Sequence, residues 1–312
     1  MSMVPEQDPR RAYLFVSVSI LLWASTAAVG KLLLEDLDSL QALLFMLLFA
    51  SAALIVIALA QGKSSVLKRY SFRDVAIFAG MGFLGVFGYH AFLLGGLAYA
   101  PAQEAFILNY TWPLWVVVFS VLLLKRRFTW RSAAAIVLSF LGVVVVATKG
   151  TLALSFTSVT GDLFALAGAV CYGLFSVLGV RLRYDSTVSM ASYYVFGTLF
   201  AIPTVLLFSS VPAVSPLQMA GLAWLGVLTC GVAFLMWFLA LKHGDTAKMA
   251  NIVFLTPFLS LVYIHFLLGE AILLSSLVGL MLIVAGIAVQ SLDGTDAPVG
   301  DLSGRTRHRK NR

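Results

Sequence analysis

The sequence predicts an all-α integral membrane protein, with ten transmembrane helices arranged as two inverted five-helix repeats. Three observations predict this fold class: the composition, the placement of the basic residues and an internal repeat. The chain of 312 residues is 61% hydrophobic and only 11% charged, and its mean hydropathy is +0.97. Soluble domains carry about 25% charged residues. A soluble all-α protein is therefore the disfavoured alternative.

Apolar stretches long enough to cross a bilayer run through most of the chain. About 18 or more apolar residues mark a membrane-spanning helix. The polar residues 1–11 lead directly into the first stretch, which argues against a cleavable signal peptide. Cys171 and Cys230 fall inside predicted spans and are expected to be packing residues. The spans are predicted at residues 12–34, 40–60, 74–97, 103–124, 132–149, 162–181, 188–209, 217–241, 246–268 and 271–290.

The basic residues fall almost entirely on one side of this topology. Of the 21 lysines and arginines, 19 lie on the side that holds both termini, and only Lys31 and Lys149 lie on the other. The positive-inside rule then places both termini in the cytoplasm. The tail "RTRHRK" could be a lipid or nucleic-acid patch, but a topology signal on a disordered end is the simpler interpretation. No nucleic-acid partner is expected.

The second half of the chain repeats the first. A shift of 144 residues, which we call the repeat shift, lays Pro113 on Pro257 and Gly142 on Gly286. A slightly longer shift lays Trp23 on Tyr172. The stretch "FLGVF" (83–87) also resembles "WLGVL" (224–228), at another slightly different offset.

Five spans per repeat is an odd number, so the second copy enters the membrane from the opposite side. Such inverted repeats are typical of transporters, whose substrate sites lie near the midplane at interrupted helices. The predicted organisation is a cytoplasmic N-terminal tail (1–11), a first repeat (12–149), a second repeat (160–291) and a basic disordered cytoplasmic tail (292–312).

Two prolines fall near the centres of the fourth and ninth predicted spans. Proline removes a backbone hydrogen bond and kinks a helix, and in lipid the freed carbonyl needs a partner. A bent helix that faces an aqueous cavity supplies one, so Pro113 and Pro257 are expected to border a substrate cavity. A kink that serves packing alone is the alternative.

Polar and aromatic side chains surround the first of these prolines, in the stretch "LNYTWPLW" (108–115). At about 100° per residue, Asn109, Trp112 and Pro113 share one helical face, and Tyr110 points further round. Trp115 is expected to face lipid or another helix.

Further candidates lie at similar depth in other spans. A buried indole or phenol needs a hydrogen-bond partner, which a cavity or a backbone carbonyl can supply. His90 could carry a proton or bind a carboxylate, or be a neutral packing histidine. Trp237 could gate the cavity or anchor at the interface, and Asn251 could contact substrate or bridge helices. The predicted substrate-binding residues are Trp23, Tyr89, His90, Asn109, Tyr110, Trp112, Pro113, Tyr172, Trp237, Asn251 and Pro257.

The positions of the acidic residues and the absence of catalytic motifs limit the functions that the sequence allows. All 14 aspartates and glutamates lie in loops, tails or span ends, which favours a facilitator over a proton antiporter, with His90 the remaining candidate proton carrier. No P-loop, zinc-ligand spacing or nucleophile elbow is present, so neither an enzyme nor a bound cofactor or metal is expected. His243 and Asp245 could form a catalytic pair, but a cytoplasmic loop is the better interpretation.

The closing stretch 254–289 resembles the final hairpin of the EamA-type repeat of the drug/metabolite transporter superfamily. The matching positions are Thr256, Pro257, Gly269, Glu270, Gly279 and Gly286, and "WASTAAVGK" (23–31) is similar to that family's first span. One departure is that Lys125 and the two arginines after it replace a glutamate that the family often has. Within the superfamily, "NYTWP" resembles a stretch of the YddG-type aromatic amino acid exporters.

The resemblance implies export of aromatic and other apolar amino acids by alternating access, across a bacterial inner membrane. The implied partners are a small-molecule substrate and membrane lipids, and a monomer is expected. Carriers of nucleotide sugars or organic cations, and a non-transporting channel or membrane scaffold, are the alternatives. A cationic drug should need a buried carboxylate and a nucleotide should need basic residues in the cavity, so a zwitterion suits the predicted site better.

Overall fold

The computed structural model describes residues 8–67, 69–100, 105, 108–125, 129–151, 158–182, 184–269 and 272–291. These residues form helices joined by short turns. The helices are α1 (Pro9–Leu33), α2 (Ser39–Ala60), α3 (Ser64–Leu67), α4 (Phe72–Met81), α5 (Tyr89–Tyr99), α6 (Trp112–Leu124), α7 (Trp130–Ala147), α8 (Val159–Arg181), α9 (Ser186–Phe208), α10 (Pro216–Ala223), α11 (Ala233–His243), α12 (Thr246–Ile252), α13 (Thr256–Leu268) and α14 (Leu274–Ser291).

Three of the long helical rods change their hydrogen-bonding pattern near the middle. A π segment, Gly82–Gly88, joins α4 to α5, and a second π segment, Trp224–Val232, joins α10 to α11. A 3₁₀ turn, Val253–Leu255, joins α12 to α13. The sequence predicted continuous helices here. π-helical turns are frequent at functional sites, so a functional site is expected near the middle of these rods.

The membrane class of the fold agrees with the prediction. Within the described residues, eight helices are long and apolar enough to cross a membrane. The apolar helices Trp112–Leu124 and Leu274–Val289 are shorter than this limit. They fall in the predicted spans 103–124 and 271–290.

The fourth predicted span is interrupted rather than bent. Tyr110 and Thr111 form a turn, and α6 begins only at Trp112, with Pro113 in its first turn. The expectation of a proline kink inside a continuous helix was therefore wrong. Proline lacks a backbone N–H, and the first turn of a helix has no use for that donor, so proline is favoured there. Pro257 holds the equivalent place in α13.

Three helices of the first half recur in the second half at one constant spacing. The repeat shift carries α5 onto α11, α6 onto α13 and α7 onto α14, with equal lengths in each pair. The residue after α6, Lys125, and the residue after α13, Gly269, both adopt left-handed backbone conformations.

Glycines in the two π segments make equivalent contacts in the two halves. A methyl group on Gly82 would lie 2.5 Å from the Tyr193 carbonyl oxygen of α9, and one on Gly226 would lie 2.6 Å from the Met46 carbonyl oxygen of α2. The repeat shift carries Gly82 onto Gly226. The structure therefore corrects the offset suggested by "FLGVF" and "WLGVL", which had paired Gly85 with Gly226.

Helices from the two halves pack against each other throughout. α2 contacts α9, α7 contacts α14, α1 contacts α11 and α13, and α8 contacts α5 and α6. Buried residues from both halves form one main core. The core therefore contains side chains from both halves of the chain.

Candidate functional site

The start of α6 places an indole ring among aromatic rings from three other helices. The ring centroid of Trp112 lies 4.8 Å from that of Tyr172, 5.4 Å from that of Trp237 and 6.0 Å from that of Trp23. All three pairs are edge to face, which is a favourable geometry for aromatic rings. Trp112 is buried because the turn at Tyr110 and Thr111 aims the first residue of α6 into the core.

Phe234, at the start of α11, extends the same group of rings. Its centroid lies 5.2 Å from that of Trp23, 5.5 Å from that of Tyr172 and 5.9 Å from that of Tyr194. Tyr89 contacts Tyr172 at 4.8 Å. We call this group the aromatic cluster, and its members are Trp23, Tyr89, Trp112, Tyr172, Tyr194, Phe234 and Trp237.

Two indole N–H groups in the cluster have partners within the protein. Trp23 donates to the Thr229 carbonyl oxygen in the second π segment at 3.2 Å. Trp237 donates to the Ser176 hydroxyl of α8, also at 3.2 Å. The first bond joins the two halves of the chain, and the second joins α11 to α8. These bonds orient the two rings in this conformation.

A second polar group borders the cluster on the side of α5. The Asn109 amide donates to the Tyr89 hydroxyl at 3.4 Å. The His90 ring lies 4.8 Å from the Tyr89 ring, and its Nδ1 contacts the Val86 carbonyl oxygen at 2.6 Å. Nδ1 must carry a proton to donate to that carbonyl, so the neutral ring keeps Nε2 as an acceptor.

Several polar atoms in and beside the cluster are buried without a partner among the described residues. They are Asn109 Oδ1 and the hydroxyls of Tyr172 and Tyr194; in α12, both amide atoms of Asn251 are likewise buried without a partner among these residues. Tyr194 is 0% exposed and Tyr172 is 2% exposed. A buried polar group without a hydrogen bond costs free energy. Such groups are able to form hydrogen bonds with a polar ligand.

The structure brings most of the predicted site residues together. Trp23, Tyr89, Trp112, Tyr172 and Trp237 belong to the aromatic cluster, and the side chains of His90 and Asn109 adjoin it. Tyr110 is half-buried and packs on the core from the turn before α6. Pro113 and Pro257 lie in the first turns of α6 and α13, and Asn251 lies in α12, which contacts α6.

Sequence reasoning missed two members of the cluster. The repeat shift carries His90 onto Phe234, so the internal repeat itself could have identified this ring. Tyr194 carries no comparable signal, because it sits beside Tyr193 in an apolar helix and either could face the core. Trp115 was expected to face lipid or another helix, and it packs against Gly173 of α8. A methyl group added to Gly173 would lie 2.5 Å from the Trp115 Cβ.

Charged groups connect the two halves at one end of the bundle. The Lys63 ammonium lies 2.9 Å from the Asp185 carboxylate and also donates to the Thr187 hydroxyl at 3.2 Å. The Tyr184 hydroxyl donates to Asp74 at 2.7 Å, and Lys242 donates to the Tyr184 carbonyl oxygen at 2.8 Å. We call these residues the basic-end latch.

The Asp185 carboxyl group in this latch has a pKa below its ordinary value. Burial on its own raises that pKa. The hydrogen bond and charge of Lys63, together with the backbone N–H groups of Val188 and Thr187, oppose burial and outweigh it. Asp185 is therefore ionised at neutral pH and can hold the Lys63 ammonium.

A continuous column of rings fills the space between the latch and the aromatic cluster. Phe78 contacts Tyr184 at 4.8 Å and Tyr193 at 5.8 Å. Phe175 contacts Tyr193 at 5.6 Å and Tyr172 at 6.1 Å. Phe78, Tyr193 and Phe175 are fully or almost fully buried. Buried rings thus fill the core between the aromatic cluster and the basic-end latch.

The other end of the bundle is joined by a smaller set of uncharged donors. Ser209 donates to the Asp38 carboxylate at 2.5 Å, and Gln218 donates to Asp36 at 2.9 Å. Gln41 donates to the Ser210 hydroxyl at 3.2 Å. These contacts again connect the first half to the second.

A family model, a solved structure and related sequences were compared with this chain, and they are consistent with one family of transporters. The model of the EamA-like transporter family matches residues 10–148 and again residues 159–292. A solved crystal structure superposes with a TM-score of 0.81 at 27% identity, covering 90% of this chain and 96% of that one. An uncharacterized transporter of Archaeoglobus fulgidus is 27% identical over 89% of this chain and 96% of its own length.

Two further relatives have names that state a cargo. The aromatic amino acid exporter YddG of Ancylobacter novellus is 32% identical over 56% of this chain and 62% of its own length. A protein of Streptantibioticus cattleyicolor, named a probable terminal-alkyne amino-acid exporter, is 28% identical over 86% of this chain and 90% of its own length. The family model covers most of the chain in two copies, so the protein belongs to the EamA-like transporter family and is a membrane transporter.

Proposed function

We propose that this protein exports aromatic and other apolar amino acids by alternating access, as a facilitator with ten transmembrane helices in two inverted repeats. The observation that carries the proposal is the contact of Trp112 with Trp23, Tyr172 and Trp237, since it puts an apolar binding surface where both halves meet. The names of two relatives support the same cargo.

The chemistry of the cluster fits a zwitterion with an apolar side chain. Aromatic rings offer a surface for an apolar or aromatic side chain. The unpartnered amide and hydroxyl groups offer hydrogen bonds to the ammonium and carboxylate groups. The described residues of the cluster carry no formal charge, so a zwitterion, which has no net charge, suits it better than an organic cation or a nucleotide sugar.

The packing of α7 on α14 supports the inverted arrangement. Gly286 faces the backbone of Ala135, Ser139 contacts Ile283, and Gly142 faces Gly279. As the position in α7 advances from Ala135 to Gly142, the contacted position in α14 goes back from Gly286 to Gly279, so the two helices are antiparallel. The repeat shift carries Ala135 onto Gly279 and Gly142 onto Gly286, so it maps the first contact onto the third with the two helices exchanged. A self-matching antiparallel contact is what a two-fold axis across the helices produces, so it supports an inverted repeat.

The distribution of charge supports an orientation with both termini in the cytoplasm. The end of the bundle with Lys63 and Lys242 is also the end where Phe15 of α1 meets His243, with ring centroids 5.8 Å apart. By the positive-inside rule this end faces the cytoplasm. The basic-end latch and the ring column then form the cytoplasmic gate, which is closed in this conformation.

The facilitator mechanism is supported by the residues that surround the cluster. A carboxylate relay for protons or sodium ions needs Asp or Glu near the midplane. The described members of the cluster include none, and His90 has its Nδ1 proton committed to the Val86 carbonyl oxygen. Net movement would then follow the concentration gradient of the amino acid.

Uptake into liposomes by the purified protein tests this function. Labelled L-tryptophan, L-phenylalanine and L-methionine would be supplied with and without a pH gradient. Trp112→Ala is the test variant. Trp130→Ala is the matched control, because it removes the same side chain from a site that is 75% exposed. We expect saturable uptake by the wild type and Trp130→Ala, and at least a tenfold loss in Trp112→Ala.

Two results would contradict this proposal. If correctly inserted wild-type protein takes up none of these amino acids, the assignment is wrong, and nucleotide sugars and organic cations become the substrates to screen. If Trp112→Ala transports as well as Trp130→Ala, the aromatic cluster is not the route.

A further inference from the structure

Three tyrosine hydroxyls from three helices gather around the aromatic cluster. Tyr89 begins α5, Tyr172 lies in the middle of α8 and Tyr194 lies in α9. The ring of Tyr172 contacts that of Tyr89 at 4.8 Å, and the rings of Tyr172 and Tyr194 both contact Phe234, at 5.5 and 5.9 Å. The three tyrosine rings are thus linked by one direct contact and by a shared contact with Phe234.

These hydroxyls have protons to donate. The Tyr172 and Tyr194 hydroxyls have no hydrogen-bond partner among the described residues. Tyr89 accepts a hydrogen bond from the Asn109 amide, which leaves its own proton available. On the acceptor side, Asn109 Oδ1 has no partner among the described residues, and it belongs to the amide that donates to the Tyr89 hydroxyl. The group therefore offers three donors and one amide acceptor.

An excess of donors over acceptors fits the carboxylate end of a zwitterion. An ionised carboxylate accepts hydrogen bonds at both oxygens and donates none. Hydrogen bonds from neutral hydroxyls to a carboxylate are shorter and stronger than bonds between neutral groups. An ammonium group, by contrast, only donates, and the Asn109 carbonyl oxygen can accept from it.

We propose that Tyr172 and Tyr194, with Tyr89, bind the α-carboxylate of the transported amino acid, and that Asn109 Oδ1 faces its α-ammonium group. This inference rests on the proposed function and assigns the subsite that selects α-amino acids over amines. Tyr172 and Tyr194 are buried in this conformation, so the carboxylate reaches them as the rings of the cluster separate.

Neutral donors suit a carrier of zwitterions better than a fixed positive charge would. An arginine in the membrane interior would be costly without a partner whenever the site is empty. It would also bind the carboxylate in the low-dielectric interior strongly enough to slow release. Hydroxyls avoid both costs, because they keep the empty site neutral and hold the anion with hydrogen bonds alone.

The test compares two adjacent tyrosines of α9 in proteoliposomes. Tyr194→Phe removes only the hydroxyl of the proposed subsite. Tyr193→Phe removes the neighbouring hydroxyl, which belongs to the ring column between Phe78 and Phe175. Uptake of labelled L-phenylalanine would be measured with increasing unlabelled L-phenylalanine, 2-phenylethylamine or 3-phenylpropionate as competitor. Tyr172→Phe serves as the second test variant.

We expect Tyr194→Phe and Tyr172→Phe each to raise the KM for L-phenylalanine about tenfold, the effect of one lost hydrogen bond to a charged group. The preference for L-phenylalanine over 2-phenylethylamine should fall by the same factor, because the amine never used that bond. Tyr193→Phe changes the ring column and not the subsite, so it should keep the wild-type preference for L-phenylalanine over 2-phenylethylamine.

Two results would overturn the inference in different ways. If the wild type transports L-phenylalanine and both test variants keep its KM and its preference over the amine, the carboxylate subsite is elsewhere and the proposed function stands. If the wild type transports no amino acid, the proposed function fails and this subsite fails with it.

Discussion

Ser139 and Ile283 meet where α7 crosses α14, and they are each other's counterparts in the internal repeat. The Ser139 hydroxyl donates to the Ile283 carbonyl oxygen at 3.4 Å, and the repeat shift carries one position onto the other. On either side, Gly142 and Gly286 let the two backbones come together. The crossing is thus held by close backbone contact rather than by large side chains, as is common in membrane helices.

The first prediction concerns this crossing. In Gly142→Ala the new methyl group would lie 2.5 Å from the Gly279 carbonyl oxygen, and a backbone atom cannot easily move away. We expect a loss of about 1–3 kcal/mol in stability. Thermal unfolding of the purified protein in detergent measures it.

The matched control is Gly80→Ala. Gly80 lies in α4, and a methyl group there would meet nothing within 4 Å. Alanine is the better helix former by about 0.5–1 kcal/mol, so this variant should be as stable as the wild type or slightly more so. Equal melting temperatures for the two variants would show that α7 and α14 are not in tight contact.

The second prediction concerns the basic-end latch. Lys63→Met removes the ion pair with Asp185 and leaves a side chain of similar length. We expect the gate to open more often. In a background with Cys171 and Cys230 changed to Ser, a cysteine placed by Ser189→Cys, one helical turn before Tyr193, should react several-fold faster with a membrane-impermeant maleimide added from the basic end.

A neighbouring basic residue provides the control for this experiment. Arg69 lies on the loop that follows Lys63, so Arg69→Met changes the charge of the same loop and leaves the ion pair intact. Its labelling rate should match that of the parent. An unchanged rate in Lys63→Met would mean that the latch does not restrain this gate.

The third prediction is the pH dependence of the same ion pair. The folded-state pKa of Asp185 is lowered, so its contribution to stability is present above the unfolded value of about 3.9 and is lost as the pH falls through the folded value. The difference in melting temperature between the wild type and Asp185→Asn should be constant from about pH 5 to 8 and should shrink only in stronger acid. A difference that vanishes near neutral pH would contradict the assigned direction of the shift.

The fourth prediction concerns the interruption before α6. Pro113 lies in the first turn, where its missing N–H is not needed, so Pro113→Ala should cost at most about 1 kcal/mol of stability. The alanine would, however, allow the helix to continue back through Thr111 and Tyr110 and move Trp112. We therefore expect near-normal melting and strongly reduced uptake of L-phenylalanine.

Pro216→Ala is the control for this substitution, because Pro216 also lies in the first turn of its helix, and that helix, α10, contains no member of the aromatic cluster. It should melt and transport like the wild type. A Pro113→Ala protein with normal transport would show that the interruption does not position Trp112.

The fifth prediction separates a facilitator from a proton-coupled carrier. His90 is the titratable ring beside the cluster, and its Nδ1 contacts the Val86 carbonyl oxygen at 2.6 Å. If His90 serves to position Tyr89, uptake driven by the amino acid gradient should persist in His90→Gln, and a pH gradient should accelerate neither protein. Acceleration of the wild type that is absent from His90→Gln would identify His90 as a proton carrier.

Much of this fold could be predicted because the membrane limits the possibilities. Charge depletion, apolar length and basic loops indicated a helical membrane protein, and the repeat shift indicated two copies. The π segments could not be predicted, because Gly82 and Gly226 read as ordinary packing glycines until their contacts with α9 and α2 are known. The same applies to Pro113, since proline either kinks a helix or starts one, and the turn at Tyr110 and Thr111 decides between them.

The candidate site was only partly predictable for a different reason. Trp23, Trp112 and Tyr172 stood out because aromatic residues with polar atoms are unusual at mid-membrane depth. Phe234 and Tyr194 did not, since a phenylalanine in a membrane helix is ordinary and a tyrosine pair gives no sign of which ring faces inward. Tertiary packing of α9 and α11 supplies that information.

The most direct test of the central claim, that the substrate binds at the aromatic cluster between the two halves, is equilibrium binding of labelled L-phenylalanine to the purified protein. The wild type, Trp112→Ala and Trp130→Ala would be compared in detergent at one temperature. We predict saturable binding to the wild type and to Trp130→Ala, and none to Trp112→Ala at the same concentrations. Equal binding by all three proteins would place the substrate elsewhere and contradict the account.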